Sequence, residues 1–401
     1  MSTSVLYPLP HGYSIRLSEV MSDAWKKHTR SAPVFFTPDY LHALENAQME
    51  GFCYIYGEIY KNDVHAGLIY FQLIDLAFVK IGSVIHSEPY GKFMKLVSDK
   101  ITSSLLGKKK GKKHFLLVNG NMCVSGNYGL FISDDHKNAL PQIYKNIYES
   151  AASFIESEGE LSVSIIKDFH FSDDVLNKTL ISQGFIRFVM DPVMVLKMDA
   201  SWLSFNDYLQ SLSSKYRLRT LTVMEKISGY ELRTLEVDDI EKHRERLEFL
   251  YQSVIGKSPV RIVQPDMKYI IELKKSMKDT FIVKAWFDND QPAAFFTVFN
   301  FNNVSEAHHI GIDYQLNRTH SLYQNMLYAH IDMAIQNKSK YLDYGRTAME
   351  MKSTVGATPE NYAAYIRMNS RVLNHLIKPF LPSEPPSGWV QRYPFRKPGE
   401  N

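Results

Sequence analysis

Cysteine is almost missing from this chain: among 401 residues only Cys53 and Cys123 occur, each alone in an apolar, strand-like context. Such isolation excludes a disulfide framework and any cysteine-based metal set, so no metal is expected and a reducing, cytoplasmic compartment is. Long apolar runs are missing too. The longest, such as Ala66 to Val79, are interrupted by Gln72 and Asp75, short of the roughly 18 continuous apolar residues that suggest a membrane-spanning helix. Met1 to Arg16 lacks the basic stretch and following apolar run of a signal peptide. Nor is charge of one sign in excess. With 46 basic and 43 acidic residues the formal net charge is +3, which gives no argument for nucleic-acid binding from charge alone.

What is present is ordinary globular material, 45% hydrophobic and 22% charged. Its length favours two domains, given the usual range of about 100–200 residues per domain. In the first half, Pro38 to Ala47 has helical spacing of Tyr40, Leu41, Leu44 and Ala47. Phe52 to Tyr60, Ala66 to Leu76 and His114 to Asn119 read as strands, Pro141 to Ser157 as a helix, and Leu161 to Ile166 as a strand. Leu176 to Ser182 reads as a helix closed by Gly184, and Phe185 to Met198 as a strand. The second half repeats this grammar: helices at Phe205 to Ile227 and Asp238 to Val254, strands at Tyr230 to Leu235, Phe281 to Asp288, Ala293 to Asn300 and Glu306 to Asp313. A helix at Ser321 to Asn337, a strand at Tyr341 to Tyr344 and a final helix at Glu360 to Ile377 follow, the last with Thr358 as N-cap and Pro359 in its first position. The expected class is α/β (α+β), with domains at 1–200 and 201–380 and a Pro-rich tail, 381–401, extended over the surface.

The order in the second half, with His308-His309-Ile310-Gly311-Ile312-Asp313, the helix Leu322 to Ala334, and Tyr341-Leu342-Asp343-Tyr344-Gly345-Arg346-Thr347 followed by Lys352, resembles the GNAT acyltransferases. More narrowly it is similar to the BioF2-like (CelD-type) branch and the neighbouring Fem-type peptidoglycan aminoacyl transferases. The helix bearing Lys215-Tyr216-Arg217, and Val118-Asn119-Gly120-Asn121 with Gly126-Asn127-Tyr128-Gly129 in the first half, extend the likeness to most of the chain. The resemblance implies two tandem GNAT-like domains, each a mixed, largely antiparallel sheet flanked by helices. It implies transfer of an acyl or aminoacyl group from acyl-CoA, or from aminoacyl-tRNA, to an amine acceptor. One departure concerns the donor. GNAT enzymes that use CoA hold its pyrophosphate on a glycine-bearing turn at a helix N-terminus, and the corresponding stretch here, Tyr314 to Ser321, contains no glycine.

Amine acylation needs a base and an oxyanion site. Asp343 reads as that base, or as the partner of Arg346. His309 is a second candidate base or a satisfied core histidine; with His308 it would point to opposite faces of a strand, so at most one meets a cleft. Arg346 and Lys352 suit an anionic donor or acceptor. Arg318 could grip a pyrophosphate where glycines are missing. Lys215, Arg219 and Lys226 form one helical stripe for a phosphate-bearing ligand or RNA, or a solvated face. The basic run Lys108 to Lys113 could touch tRNA or an anionic surface. Gly120, Gly126 and Gly129 make either a binding turn or tight strand connections. A non-catalytic binding protein for a nucleotide- or peptide-linked ligand stays open as the alternative, and the missing glycines favour it.

Overall fold

A computed structural model describes residues 4–29, 32–79, 112–170, 174–256, 265–385 and 387–396; Lys108 to Gly111 of the basic run lie outside them. Alternation of side chains explains the first sheet well. It uses β1 (Val5–Leu9), β2 (Tyr13–Ser18), β3 (Phe52–Lys61), β4 (Val64–Asp75), β5 (His114–Asn119), β6 (Leu130–Ile132), β7 (Glu160–His170) and β8 (Ile186–Val189). Along β5 every residue is buried. Phe115 and Leu117 enter one core, while Leu116 and Val118 enter the other, as a strand covered on both faces requires. The helices of this half are α1 (Asp23–His28), α2 (Pro38–Ala47), α3 (Leu140–Phe154) and α4 (Asp174–Ser182). α3 turns Ile143, Tyr144, Ile147, Tyr148 and Ala151 into the first core.

The second sheet is built from β9 (Val193–Lys197), β10 (Glu231–Thr234), β11 (Phe281–Asp288), β12 (Gln291–Phe301), β13 (Val304–Ile312), β14 (Tyr341–Asp343) and β15 (Thr358–Glu360). Around it run α5 (Phe205–Ser211), α6 (Ser214–Glu225), α7 (Val237–Lys242), α8 (Arg244–Ile255), α9 (Met267–Met277), α10 (Tyr314–His320), α11 (Leu322–Gln336) and α12 (Met349–Ser353). α11 is buried almost all round and feeds both cores on its side of the sheet, meeting Phe296 and Val298 in one and Leu196 and Leu342 in the other. α8 lies along β12 and β13, and α9 along β11. β16 (Tyr362–Met368) and α13 (Arg371–Ile377) complete the strands and α-helices of the described residues.

The compact units are not consecutive stretches. One holds Met1–Met190 and Asn361–Pro385; the other holds Asp191–Ser258, Pro265–Glu360 and the C-terminal segment. The first sheet runs β1-β2-β3-β4-β5-β7-β16-β8 with β6 on β4, and the second β10-β11-β12-β13-β14-β9-β15. β9, which follows β8 in the chain, thus sits between β14 and β15, while β16, which follows β15, sits between β7 and β8. Each sheet receives its penultimate strand from the stretch that leaves the other. The sequence reading placed the boundary at 200/201 instead, treating Phe185 to Met198 as one strand. That run is two strands in two sheets, parted at Met190 to Pro192.

Three further expectations are corrected. The stretch Glu360 to Ile377 is not one helix: its apolar run Ala363 to Ile366 is the interior strand β16, buried on both faces, and only Arg371–Ile377 is helical. Thr358 and Pro359 lie in edge strand β15, where a proline without an N–H is tolerated. The helix expected from Phe205 to Ile227 breaks at Leu212 and Ser213. There Leu212 turns extended and bridges to Phe395, and Ser213 donates its N–H to the Pro394 carbonyl at 2.9 Å. The tail runs over the surface as expected and is pinned there: the Phe395 ring packs 5.7 Å from Trp202 and 6.3 Å from Tyr208.

Candidate functional site

The second sheet opens at one place. β13 and β14 pair in parallel through only three residues, Val304 with Tyr341, Ser305 with Leu342 and Glu306 with Asp343. Beyond Glu306, β13 continues to Ile312 with β12 on one side and, among the described residues, no strand on the other. Backbone groups along that edge are therefore left without a strand ladder among the described residues.

A bulge loads this edge with chemistry. Phe296 pairs with Ile310 and Val298 with Ala307, so Thr297 alone faces His308 and His309. The Thr297 hydroxyl stitches the bulge by accepting the His309 N–H at 2.8 Å and donating to the His309 carbonyl at 3.1 Å. The two histidines consequently share one shell, with ring centroids 4.1 Å apart. They do not point to opposite faces as the simple alternation implied, because two residues on the bulged strand oppose one on its partner. Tyr269 Oη lies 2.8 Å from His308 Nε2, and Tyr251 Oη lies 3.0 Å from His309 Nδ1. Burial drives both imidazoles toward the neutral form, His309 down to about 3. His309 Nε2 is buried and has no hydrogen-bond partner among the described residues.

On the other wall of the opening stands Asp343. Since Leu342 faces α11, Asp343 alternates to the opposite face, in register with Glu306, which is 4% exposed. Burial raises the Asp343 carboxyl to about 6, opposed by the Gly345 N–H bonded at 2.6 Å and by the charge of Lys352, and aided by Glu360. Lys352, 4% exposed on α12, is pushed down to about 7 by burial against the pull of Asp343 and Asp191. Its Nζ donates to the carbonyls of Gly345 at 3.1 Å and Arg346 at 2.6 Å. That bracing matters because the intervening loop holds Gly345, Thr347 and Ala348 at φ of 66°, 68° and 48°, a conformation costly for the two non-glycine residues. The Arg346 guanidinium donates to the Asp191 carbonyl. Asp343, Lys352 and Arg346 are thus one cluster, with His309 further along the facing strand.

The remaining expected site residues lie elsewhere. Arg318 is exposed on α10, and Lys215 and Arg219 are exposed on α6. Glu306 and the tyrosines Tyr251 and Tyr269 were not singled out in the sequence, because only the strand register and the α8 and α9 packing bring them to the opening. In the first unit the turn Gly120 to Gly129 is closed by its own network. Asp168 accepts the Gly126 N–H at 2.9 Å, and Lys167 binds Asp168 and the Val124 carbonyl, each at 2.5 Å.

The segment expected to cradle a pyrophosphate is also filled. α10 occupies it, and the Asp313 carboxylate caps that helix by accepting the N–H groups of Gln315 and Leu316 at 3.0 and 3.4 Å. Arg246 neutralises the cap at 2.9 Å. At the start of α11 the Tyr323 N–H is taken by Asn317 Oδ1 at 2.8 Å. The Gln315, Leu316 and Tyr323 amides are thus already bonded, which disfavours CoA held here in the glycine-turn manner.

No family model matches the chain, and no curated protein does. Solved structures do. A crystal structure of FemX superposes with a TM-score of 0.55 over 90% of this chain and 99% of that one, at 9% identity. A tandem GNAT protein from the clavulanic acid biosynthesis pathway gives 0.51 over 83% of this chain and 87% of its own, at 8% identity. Identities this low speak to architecture, and the architecture they identify is that of two tandem GNAT-like domains.

Proposed function

We propose that this protein is a cytoplasmic acyltransferase of GNAT type, moving an acyl or aminoacyl group to an amine in the opening between β13 and β14. One observation carries the reading: the strand pair parts at Asp343, a carboxyl held near pH 6, and the strand opposite continues into a bulge whose buried imidazole nitrogen has no partner among the described residues. In the reaction the amine nitrogen bonds to the donor's carbonyl carbon and its proton passes to the Asp343 carboxylate; the bond to the donor's sulfur or oxygen then breaks as that atom takes the proton up and leaves as the thiol or hydroxyl. A base with a pKa just below the working pH is well matched to that task. The N–H groups along the unpaired edge of β13 supply donors for the developing oxyanion. Lys352 holds the Gly345–Arg346 loop and with it the carboxylate's position. Of the two donors implied by the resemblance, the filled α10 turn favours aminoacyl-tRNA over acyl-CoA.

The test is transfer of radiolabel from aminoacyl-tRNA and from acyl-CoAs to small amines and amine-bearing peptides, with Asp343→Asn alongside. Transfer by the parent chain that falls about a hundredfold or more in the variant supports the reading. No transfer from any donor, with no thermal stabilisation by them, would assign the opening to a binding protein instead.

A further inference from the structure

A separate cleft lies on the outer side of α12. It encloses about 470 Å³ and is lined by Lys215, Tyr216 and Arg219 of α6, Glu350, Met351 and Thr354 at α12, and Arg392 of the docked tail. Three cations face one carboxylate. Glu350 is committed to Arg392, accepting from its Nε at 3.1 Å and from its Nη2. Lys215 and Arg219 have no hydrogen-bond or ion-pair partner among the described residues, so their charges are uncompensated within the cleft. The wall between them is the half-buried Tyr216 ring, and Met351 adds an apolar surface. Thr354 spends its proton on the Met351 carbonyl at 2.6 Å and keeps lone pairs for a donor.

The cleft is made, not accidental. Arg392 is placed by its own backbone N–H on Ser353 Oγ at 3.0 Å, and by Gln391, which donates to the Ala357 carbonyl at 3.0 Å. We propose that this cleft binds a phosphate-bearing ligand of nucleotide size, its phosphates on Lys215, Arg219 and Arg392 and its base against Tyr216. The volume falls within the range of roughly 300–1,000 Å³ usual for small-molecule sites, and guanidinium pairs suit phosphate oxygens bidentately. Arg392 then exchanges Glu350 for phosphate. Because α12 turns Lys352 inward and Glu350 outward, the cleft stands one short helix away from the Asp343 cluster.

Calorimetric titration of the full chain with inorganic pyrophosphate, ADP and adenosine tests this. Pyrophosphate and ADP should bind one to one, ADP the tighter, with adenosine weakest. Lys215→Ala with Arg219→Ala should weaken both anions about tenfold or more, since charge-assisted bonds are lost. Glu350→Gln, which removes the competing carboxylate, should tighten them. Unchanged affinity in the double variant, or no anion binding by the parent chain at millimolar concentration, overturns the site; ADP no tighter than pyrophosphate overturns its nucleotide size. Binding is read without any transfer step, so an inactive chain that still binds ADP at this cleft refutes only the transferase reading.

Discussion

Replacing Asp343 by Asn separates a carboxylate held for chemistry from one held for structure. The amide keeps an oxygen for the Gly345 N–H but cannot carry charge. In the folded chain burial raises this carboxyl from an ordinary 3.8 to about 6. A raised carboxyl pKa means that the charged form is disfavoured by folding: the penalty is full above the folded value and vanishes below the unfolded one. That difference corresponds to about 3 kcal/mol of lost stability at pH 8, and to about half that at pH 5, where the folded carboxyl has taken up its proton. Residual solvent at this half-buried residue makes these upper bounds. Asp343→Asn should therefore raise the urea midpoint at pH 8, raise it less at pH 5, and lower transfer about a hundredfold or more. Equilibrium unfolding at both pH values with a common slope checks the first part. A variant destabilised equally at pH 8 and pH 5 would refute the reasoning, and Asp343 would then be a loop tie.

Lys352→Met keeps side-chain length but strips the donor from the Gly345 and Arg346 carbonyls; a loss of about 2–3 kcal/mol in urea unfolding is expected, and an unchanged midpoint would show the loop needs no brace. Gly356→Ala places a methyl 2.3 Å from the Phe395 ring at a φ of 99°. A loss of about 2–4 kcal/mol should follow, with faster proteolysis of the tail; a silent substitution would mean the tail is not anchored there. Burial holds His309 down to about 3 and His330 down to about 4, so the unfolded chain binds more protons below about pH 6.5 and stability should fall from pH 7 to pH 5. The fall should be steeper in Asp343→Asn, which lacks the opposing carboxyl; a flat profile would contradict the buried imidazoles.

Much of the fold was legible because local pattern and final packing agreed. Pro38–Ala47, His114–Asn119 and Phe281–Asp288 end where their periodicity ends. What misled was tertiary. The break at Leu212 is imposed by Phe395, which is 183 residues away in sequence and carries no local signal. β16 has the continuous apolar run of a strand covered on both faces, which periodicity cannot distinguish from a buried helix segment. For the site, the sequence located Asp343 and Lys352 on one stretch but could not foresee their shared burial. The His308–His309 bulge was illegible, since a bulge depends on the count of residues in both paired strands. The absence of glycine between Tyr314 and Ser321 was readable; that a carboxylate fills the turn was not.

The exchange of β9 and β16 makes a last prediction that bears on the site itself. β14 is three residues long, and Asp343 is positioned by β13 on one side and β9 on the other, where it pairs with Val195. A fragment starting at Trp202 has the expected second domain and tail yet lacks β9. It loses Val193, Met194, Val195 and Leu196, all buried, and at roughly 1.5–3 kcal/mol for each large apolar side chain the deficit is on the order of 6–12 kcal/mol. That is comparable to the whole stability of a typical domain, about 5–15 kcal/mol. The same fragment carries β16 without β7 and β8, a bare apolar strand prone to aggregate. Residues 1–198 alone should fail for the mirror reason. Produced together, the two pieces hold every strand of both sheets and should copurify with a cooperative urea transition. Should residues 202–401 alone unfold cooperatively with parent-like near-ultraviolet circular dichroism, β9 would not be the strand that holds Asp343 in place.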